Sequence, residues 1–184
     1  MNFRLAQTDE DLQKILKLQF ANLKQNLDEK EIISQGFLTC QHNFGQLKNM
    51  NDAEAHLLIE ENAELAGYIL ALTRASEALL PMLNPMFKRF SELTYGGKPL
   101  NDYTYLIVGQ VCISRNFRGN RLLDRAYDAY RNYFHKKYEF CITEVAVENS
   151  RSLKAHQRIG FKVIDNYTES SGKEWAVILW DWKA

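Results

Sequence analysis

The order of apolar and polar positions along the chain predicts a mixed α/β architecture. "FRLA", residues 3 to 6, reads as a short strand. Thr8 then caps a helix from about residue 9, with Leu12, Ile15, Leu16 and Leu18 or Phe20 on one face. A second helical run covers about residues 28 to 35. Residues 56 to 73, "HLLIEENAELAGYILALT", predict a hairpin turning at Glu61 and Asn62, with Gly67 at a bulge or a close backbone approach. "YTYLIVGQVCI", residues 103 to 113, is apolar and β-branched almost throughout, as a central strand requires. Leu122, Leu123, Ala126, Tyr127, Tyr130 and Phe134 then recur at three- and four-residue steps, which predicts an amphipathic helix. "FCITEVAV", residues 140 to 147, is another strand. Asn149 or Ser150 starts the next helix, which carries Leu153, Ala155, His156 and Ile159 and ends at Gly160. "FKVIDNY" and "EWAVILWDW" close the pattern as two strands around "ESSGK".

Residues 74 to 100 interrupt this order. Leu79, Leu80, Leu83, Phe87, Phe90 and Leu93 keep mostly helical spacing, broken by Pro81 and Pro85, and "YGGKP" ends the segment with turn chemistry. A kinked helix or helix pair inserted between strands fits, either as a lid that sets specificity or as a cover for the core.

With 184 residues the expectation is one domain spanning 1 to 184, and the hydrophobic (46%) and charged (25%) fractions are ordinary for a globular chain. Twenty-three basic residues balance 23 acidic ones, so no global charge points to nucleic acid. No apolar run is long enough for a membrane span, and "MNFRLAQTDEDLQ" lacks the apolar centre of a secretory signal. Cys40, Cys112 and Cys141 are odd in number and have no CxxC spacing. They predict reduced thiols in a cytoplasmic protein rather than zinc or disulfides. His42, His56 and His135 likewise lack partners at metal-ligand spacing, so no metal is expected.

The chemistry concentrates in "SRNFRGNRLLDRAY", residues 114 to 127, between the central strand and the amphipathic helix. A helix N-terminus presents unpaired N–H groups and a positive dipole end. Gly119 permits close approach, Asn120 tolerates left-handed geometry, and Arg118 and Arg121 can pair with phosphate oxygens. Alone, this stretch is either an anion site or a basic turn.

Downstream stands "VENSRSLKAHQRIGF", a strand end, an Asn, one helix and then Gly-Phe opening a strand. Together the two segments resemble the GNAT superfamily of N-acetyltransferases, whose first motif runs strand, Arg/Gln-x-x-Gly-x-Gly/Ala, helix, and whose second runs Asn, helix, Gly-Phe. The resemblance covers residues 103 to 167. It implies a GNAT fold: a mixed, mostly antiparallel sheet with one splayed parallel strand pair, flanked by helices. It also implies acetyl-CoA as co-substrate and direct attack of an amine, from a small molecule, peptide or protein, on the thioester. Backbone groups of Val111, Cys112 and Ile113 would meet the pantetheine arm and the thioester carbonyl. Amides of Arg118, Gly119, Asn120, Arg121, Leu122 and Leu123 would cup the pyrophosphate, and Asn149 would bond the pantetheine. A non-catalytic acyl-CoA-binding or protein-interaction module on the same fold is the alternative.

The chain departs from the family pattern at three positions. Arg121 stands at the loop's central Gly, Leu123 at its last Gly/Ala, and His156 where the family carries a Tyr that protonates the departing thiolate. His156 is either that acid or a packed core histidine. Glu144 is the first candidate for the base that deprotonates the amine, or else a solvent-facing strand residue; Gln110 can only orient a water. Tyr103 and Tyr105 are candidates to line an acceptor pocket. Cys112 reads as a buried structural thiol, and Trp175, Trp180 and Trp182 fit core or homodimer packing.

Overall fold

A computed structural model describes residues 1–119 and 121–183. Its elements are β1 (Asn2–Leu5), α1 (Asp9–Ala21), α2 (Glu29–Gln35), α3 (Phe44–Ala53), β2 (Leu57–Glu61), β3 (Glu64–Leu72) and α4 (Asn84–Glu92). They continue with β4 (Thr94–Tyr95), β5 (Lys98–Pro99), β6 (Tyr105–Ile113), α5 (Leu122–Phe134), β7 (Phe140–Ala146), α6 (Ser150–Ile159), β8 (Lys162–Thr168) and β9 (Glu174–Asp181). Seven strands form one sheet in the order β1-β2-β3-β6-β7-β9-β8, and β4 and β5 pair separately. Every pairing in the main sheet is antiparallel except β6 with β7.

Local chemistry explains the helix starts. The Thr8 side chain accepts from the Asp11 amide while the Asp11 carboxylate accepts from the Thr8 amide, closing a capping box. Asp11 also pairs with Arg4 of β1, which reaches Glu60 of β2 as well, so one guanidinium ties α1 to two strands. These bonds to Arg4 hold the Asp11 carboxyl well below the usual carboxylate range. Asn43 and Gln46 form a second capping box at α3.

The sheet separates two apolar layers. Leu12, Ile15, Leu47, Met50, Tyr68, Phe90 and Ile142 pack beneath α1, α3 and α4. Ala126, Tyr127, Tyr130, Phe134, Cys141, Val145 and Phe161 pack beneath α5 and α6. Residues 74 to 100 form two short 3-10 segments, the single helix α4 and the β4–β5 turn. Met86, Phe87 and Phe90 of α4 are buried in the first layer, so this segment covers the core.

Bulges set the phase of the central strands. Leu70 pairs with Gln110 but Ala71 with Val108, which makes Gly109 an extra residue in β6. Before it, Tyr105 and Ile107 face the α1 side; after it, Cys112 faces that side while Val111 and Ile113 face α5. In β3 the extra residue is Ala66, beside Gly67. A Cβ on Gly67 would stand 2.6 Å from the Cys112 carbonyl oxygen and 2.8 Å from Ile113 Cδ1. Gly67→Ala is therefore expected to lower stability by about 1–3 kcal/mol, read as a lower urea midpoint with an unchanged slope.

Among the described residues no helix is long and apolar enough to cross a membrane. Cys40, Cys112 and Cys141 are all free thiols.

Candidate functional site

The parallel ladder between β6 and β7 is short. It runs Tyr105↔Phe140, Leu106↔Cys141, Ile107↔Ile142, and stops. Beyond it the Thr143 hydroxyl still donates to the Val108 carbonyl at 2.8 Å, and then the strands diverge. The fork opens onto a groove of about 790 Å3. Its floor is Val111, Cys112 and Ile113; one wall is the turn from Arg118 into α5, and the other is the start of α6. The segment from Ile33 to Leu38, with Asn22, forms the third side.

The turn at Arg118 answers how a loop works with so few glycines. Arg121 is the residue before α5 and sits in the left-handed region at φ 52, ψ 33. Gly119 is also left-handed, at φ 98, and a Cβ there would meet no atom within 4 Å. A position at positive φ ordinarily favours glycine, and here an arginine occupies it at a steric cost of about 1 kcal/mol. Arg121→Gly relieves that cost but makes the unfolded chain more flexible. The expected net is a gain of a few tenths to about 1 kcal/mol, measured as a raised thermal midpoint; a lowered midpoint would show that the arginine side chain holds the turn.

Arg118 does not project freely from this turn. Its guanidinium donates to the Ile113 carbonyl at 3.1 Å and to Asn22 Oδ1 at 2.6 Å, tying the end of β6 to the end of α1. Asn149 is equally engaged. Its Oδ1 caps α6 through the Ser152 amide, and its Nδ2 donates to the Phe37 carbonyl at 3.1 Å. The pantetheine contact expected of Asn149 would therefore compete with the 36–38 segment for the same amide.

His156 lines the groove but its ring is buried among aromatic side chains. Nδ1 donates to the Ser152 carbonyl at 2.8 Å, and Nε2 then accepts from the Tyr127 hydroxyl at 2.7 Å. Burial holds its pKa down at about 4. A neutral ring whose single N–H is already bonded has no proton to give, which corrects the expectation of a histidine acid. Tyr103 and Tyr105 are a second correction. They lie at the closed end of β6, where Tyr105 stacks on Phe140 and the Tyr103 hydroxyl donates to the Tyr95 carbonyl. At about 3.3 Å per residue, Tyr105 is roughly 20 Å from Val111, so it lines no pocket at the fork.

Glu144 stands two residues past the last β6–β7 pair, on the α1 side of the sheet with Tyr167, and is not among the residues that line the groove. Burial raises its pKa to about 7, against the opposing effect of the Tyr167 hydroxyl that donates to it at 2.6 Å. Gln110 is engaged at both ends of its amide: it accepts from Gln19 and Tyr68 and donates to the Cys40 carbonyl. The apolar surroundings of Cys112 push its thiol up to about 12, so it remains protonated. Asn120 lies outside the described residues.

Sequence reasoning missed the basic side chains of α6. Arg151, Lys154 and Arg158 all line the groove. Their spacing, three and then four residues, puts them on one helix face, and that stripe is readable in "RSLKAHQR". Arg158 is paired with Asp124 of α5 at 2.7 Å.

The overall fold recurs in known structures. A ribosomal-protein-alanine N-acetyltransferase from Brucella melitensis superposes with a TM-score of 0.61 at 14% identity, over 98% of this chain and 99% of that one. The NatC complex bound to Gag peptide and CoA gives 0.64 at 11% identity, over 98% and 97%. A probable acetyltransferase from Staphylococcus epidermidis gives 0.64 at 14% identity, over 98% of both chains. The chain has the GNAT fold. No protein-family model matches the sequence, and no curated protein does. In this fold the parallel pair is β6 with β7; α5 follows β6, and α6 follows β7 and ends before Gly160 and Phe161.

Proposed function

We propose that this chain is an acetyl-CoA-dependent N-acetyltransferase that acetylates an amine of a small molecule, peptide or protein. The observation that carries the reading is the fork and the charge of the groove beside it. The chain is formally neutral, yet the groove wall holds five basic side chains (Arg118, Arg121, Arg151, Lys154, Arg158) and one acidic (Asp124). Five against one leaves an excess of four, which suits a polyphosphate ligand.

In this reading the first turn of α5 and its preceding amides bind the pyrophosphate. Val111 to Ile113 offer strand amides to the pantetheine arm, and the bound thioester supplies the acetyl group. Glu144, with its pKa near neutrality, takes the ammonium proton through water, and Tyr167 holds its carboxylate in place. The departing thiolate takes its proton from solvent, since His156 has none to give.

The second reading, a non-catalytic acyl-CoA-binding or protein-interaction module, is favoured by the committed bonds of His156 and Asn149. Isothermal titration with acetyl-CoA is expected to give a single site, and free CoA is expected to appear across an amine panel. Binding without CoA release selects the module. Absence of binding sinks the acyl-CoA part of both readings.

A further inference from the structure

We infer that Arg151 and Lys154 form a phosphomonoester subsite that reads the 3′-phosphate of CoA. The inference rests on the acetyl-CoA reading above and deepens it.

The argument begins with charge. Of the five cations in the groove wall, Arg158 is compensated by Asp124, through bonds of 2.7 and 3.0 Å. Arg118 meets only neutral acceptors, the Ile113 carbonyl and Asn22 Oδ1. Arg121, Arg151 and Lys154 take part in none of the ion pairs among the described residues. Four positive charges therefore face the groove without a carboxylate partner.

A pyrophosphate diester carries about two negative charges, and the α5 turn with Arg118 and Arg121 suffices for those. That leaves Arg151 and Lys154, one helical turn apart on the opposite wall. A phosphomonoester adds about 1.5 to 2 negative charges at neutral pH, which matches two cations. CoA carries that group on its ribose; dephospho-CoA is the same molecule without it.

The walls also feel each other electrostatically. Burial shifts Arg118 below its ordinary pKa; nearby Cys112 and Glu31 oppose the shift, and the cations Arg151 and Arg115 add smaller pushes in the same direction as burial. Arg115 is paired with Glu31 at 2.8 Å, so of these two cations Arg151 is the one outside the ion pairs among the described residues. An anion between these walls offsets its push on Arg118. Both Arg151 and Lys154 are exposed and hold no other element in place, so truncating them leaves the fold intact.

The test is calorimetric titration of CoA and dephospho-CoA, with no turnover needed. The native chain is expected to bind CoA about tenfold or more tightly than dephospho-CoA. The double variant Arg151→Ala, Lys154→Ala is expected to bind both ligands equally, at the native dephospho-CoA affinity, with a matching thermal midpoint in the free state. Equal binding of both ligands by the native chain overturns the subsite while leaving the acetyl-CoA reading intact. So does a double variant that keeps the native preference. Failure of both ligands to bind removes the acetyl-CoA reading and the subsite with it.

Discussion

Acidification from about pH 6.5 to about pH 4 is expected to destabilise this protein steeply, because three histidines are buried in the neutral state. His42 and His156 are held by burial at a pKa of about 4, and His56 at about 3. Their bonds require neutrality. His56 donates from Nε2 to the Leu47 carbonyl and accepts the Ala71 amide at Nδ1. His42 accepts from Gln19 at Nδ1. In the unfolded chain each imidazole protonates near pH 6.5, while in the folded chain it does not until pH 4 or below. Between those values the unfolded state binds more protons, so stability falls as pH falls. Each group contributes a limiting slope of about 1.4 kcal/mol per pH unit. Glu144 works in the opposite sense. Its folded pKa of about 7 lies above the ordinary 4.5, so its contribution grows as pH drops through that window and offsets one histidine. The net is a loss of about 2.7 kcal/mol per pH unit, large against a total stability of about 5–15 kcal/mol. Urea midpoints measured from pH 7 downward should collapse before pH 4.5. A flat profile to pH 5 would show that the histidines charge freely in the folded state.

Glu144→Gln is expected to lower turnover by about 100-fold or more while acetyl-CoA affinity stays within about twofold. The isosteric amide keeps the strand and still accepts from Tyr167, but it cannot take a proton. In the native chain the rate should rise through about pH 7 as the carboxyl ionises. Tyr167→Phe removes a bond that favours the ionised form, so it should move that limb to higher pH without abolishing the rate. Release of CoA, followed against pH for the three proteins, decides the matter. Native turnover in Glu144→Gln would eliminate the carboxylate as base, and an unmoved limb in Tyr167→Phe would free Tyr167 of any positioning part.

What the sequence disclosed depended on whether the signal was local. The central strands, α5, α6 and the two motif segments lie in continuous apolar or helical patterns, and their order follows directly. α3 escaped because it is mostly polar, with Leu47 and Met50 as its buried side chains; only the Asn43–Gln46 spacing announced it. The placement of Tyr103 and Tyr105 failed for a different reason. Strand pattern reveals which residues are apolar but not which end of the strand opens, and these two lie at the closed end. His156 has the helical spacing of a core residue, and the core reading of it fits its bonds. The engagement of Asn149 with Phe37 spans 112 positions and left no mark on either local pattern.

The extra residue at Gly109 makes β6 two strands of opposite parity joined end to end. Tyr105 and Ile107 serve the α1 layer on odd numbers; Gln110 and Cys112 serve it on even ones. A side chain at Gly109 would merely crowd Leu72 and Met50, each 3.3 Å from a Cβ placed there. Deleting the residue is another kind of change, because it would invert everything after it. Val111 and Ile113 would turn towards α1, Gln110 would leave Gln19 and Tyr68, and the open half of the fork would show its wrong side. Length at this one position, more than identity, sets the handedness of the site.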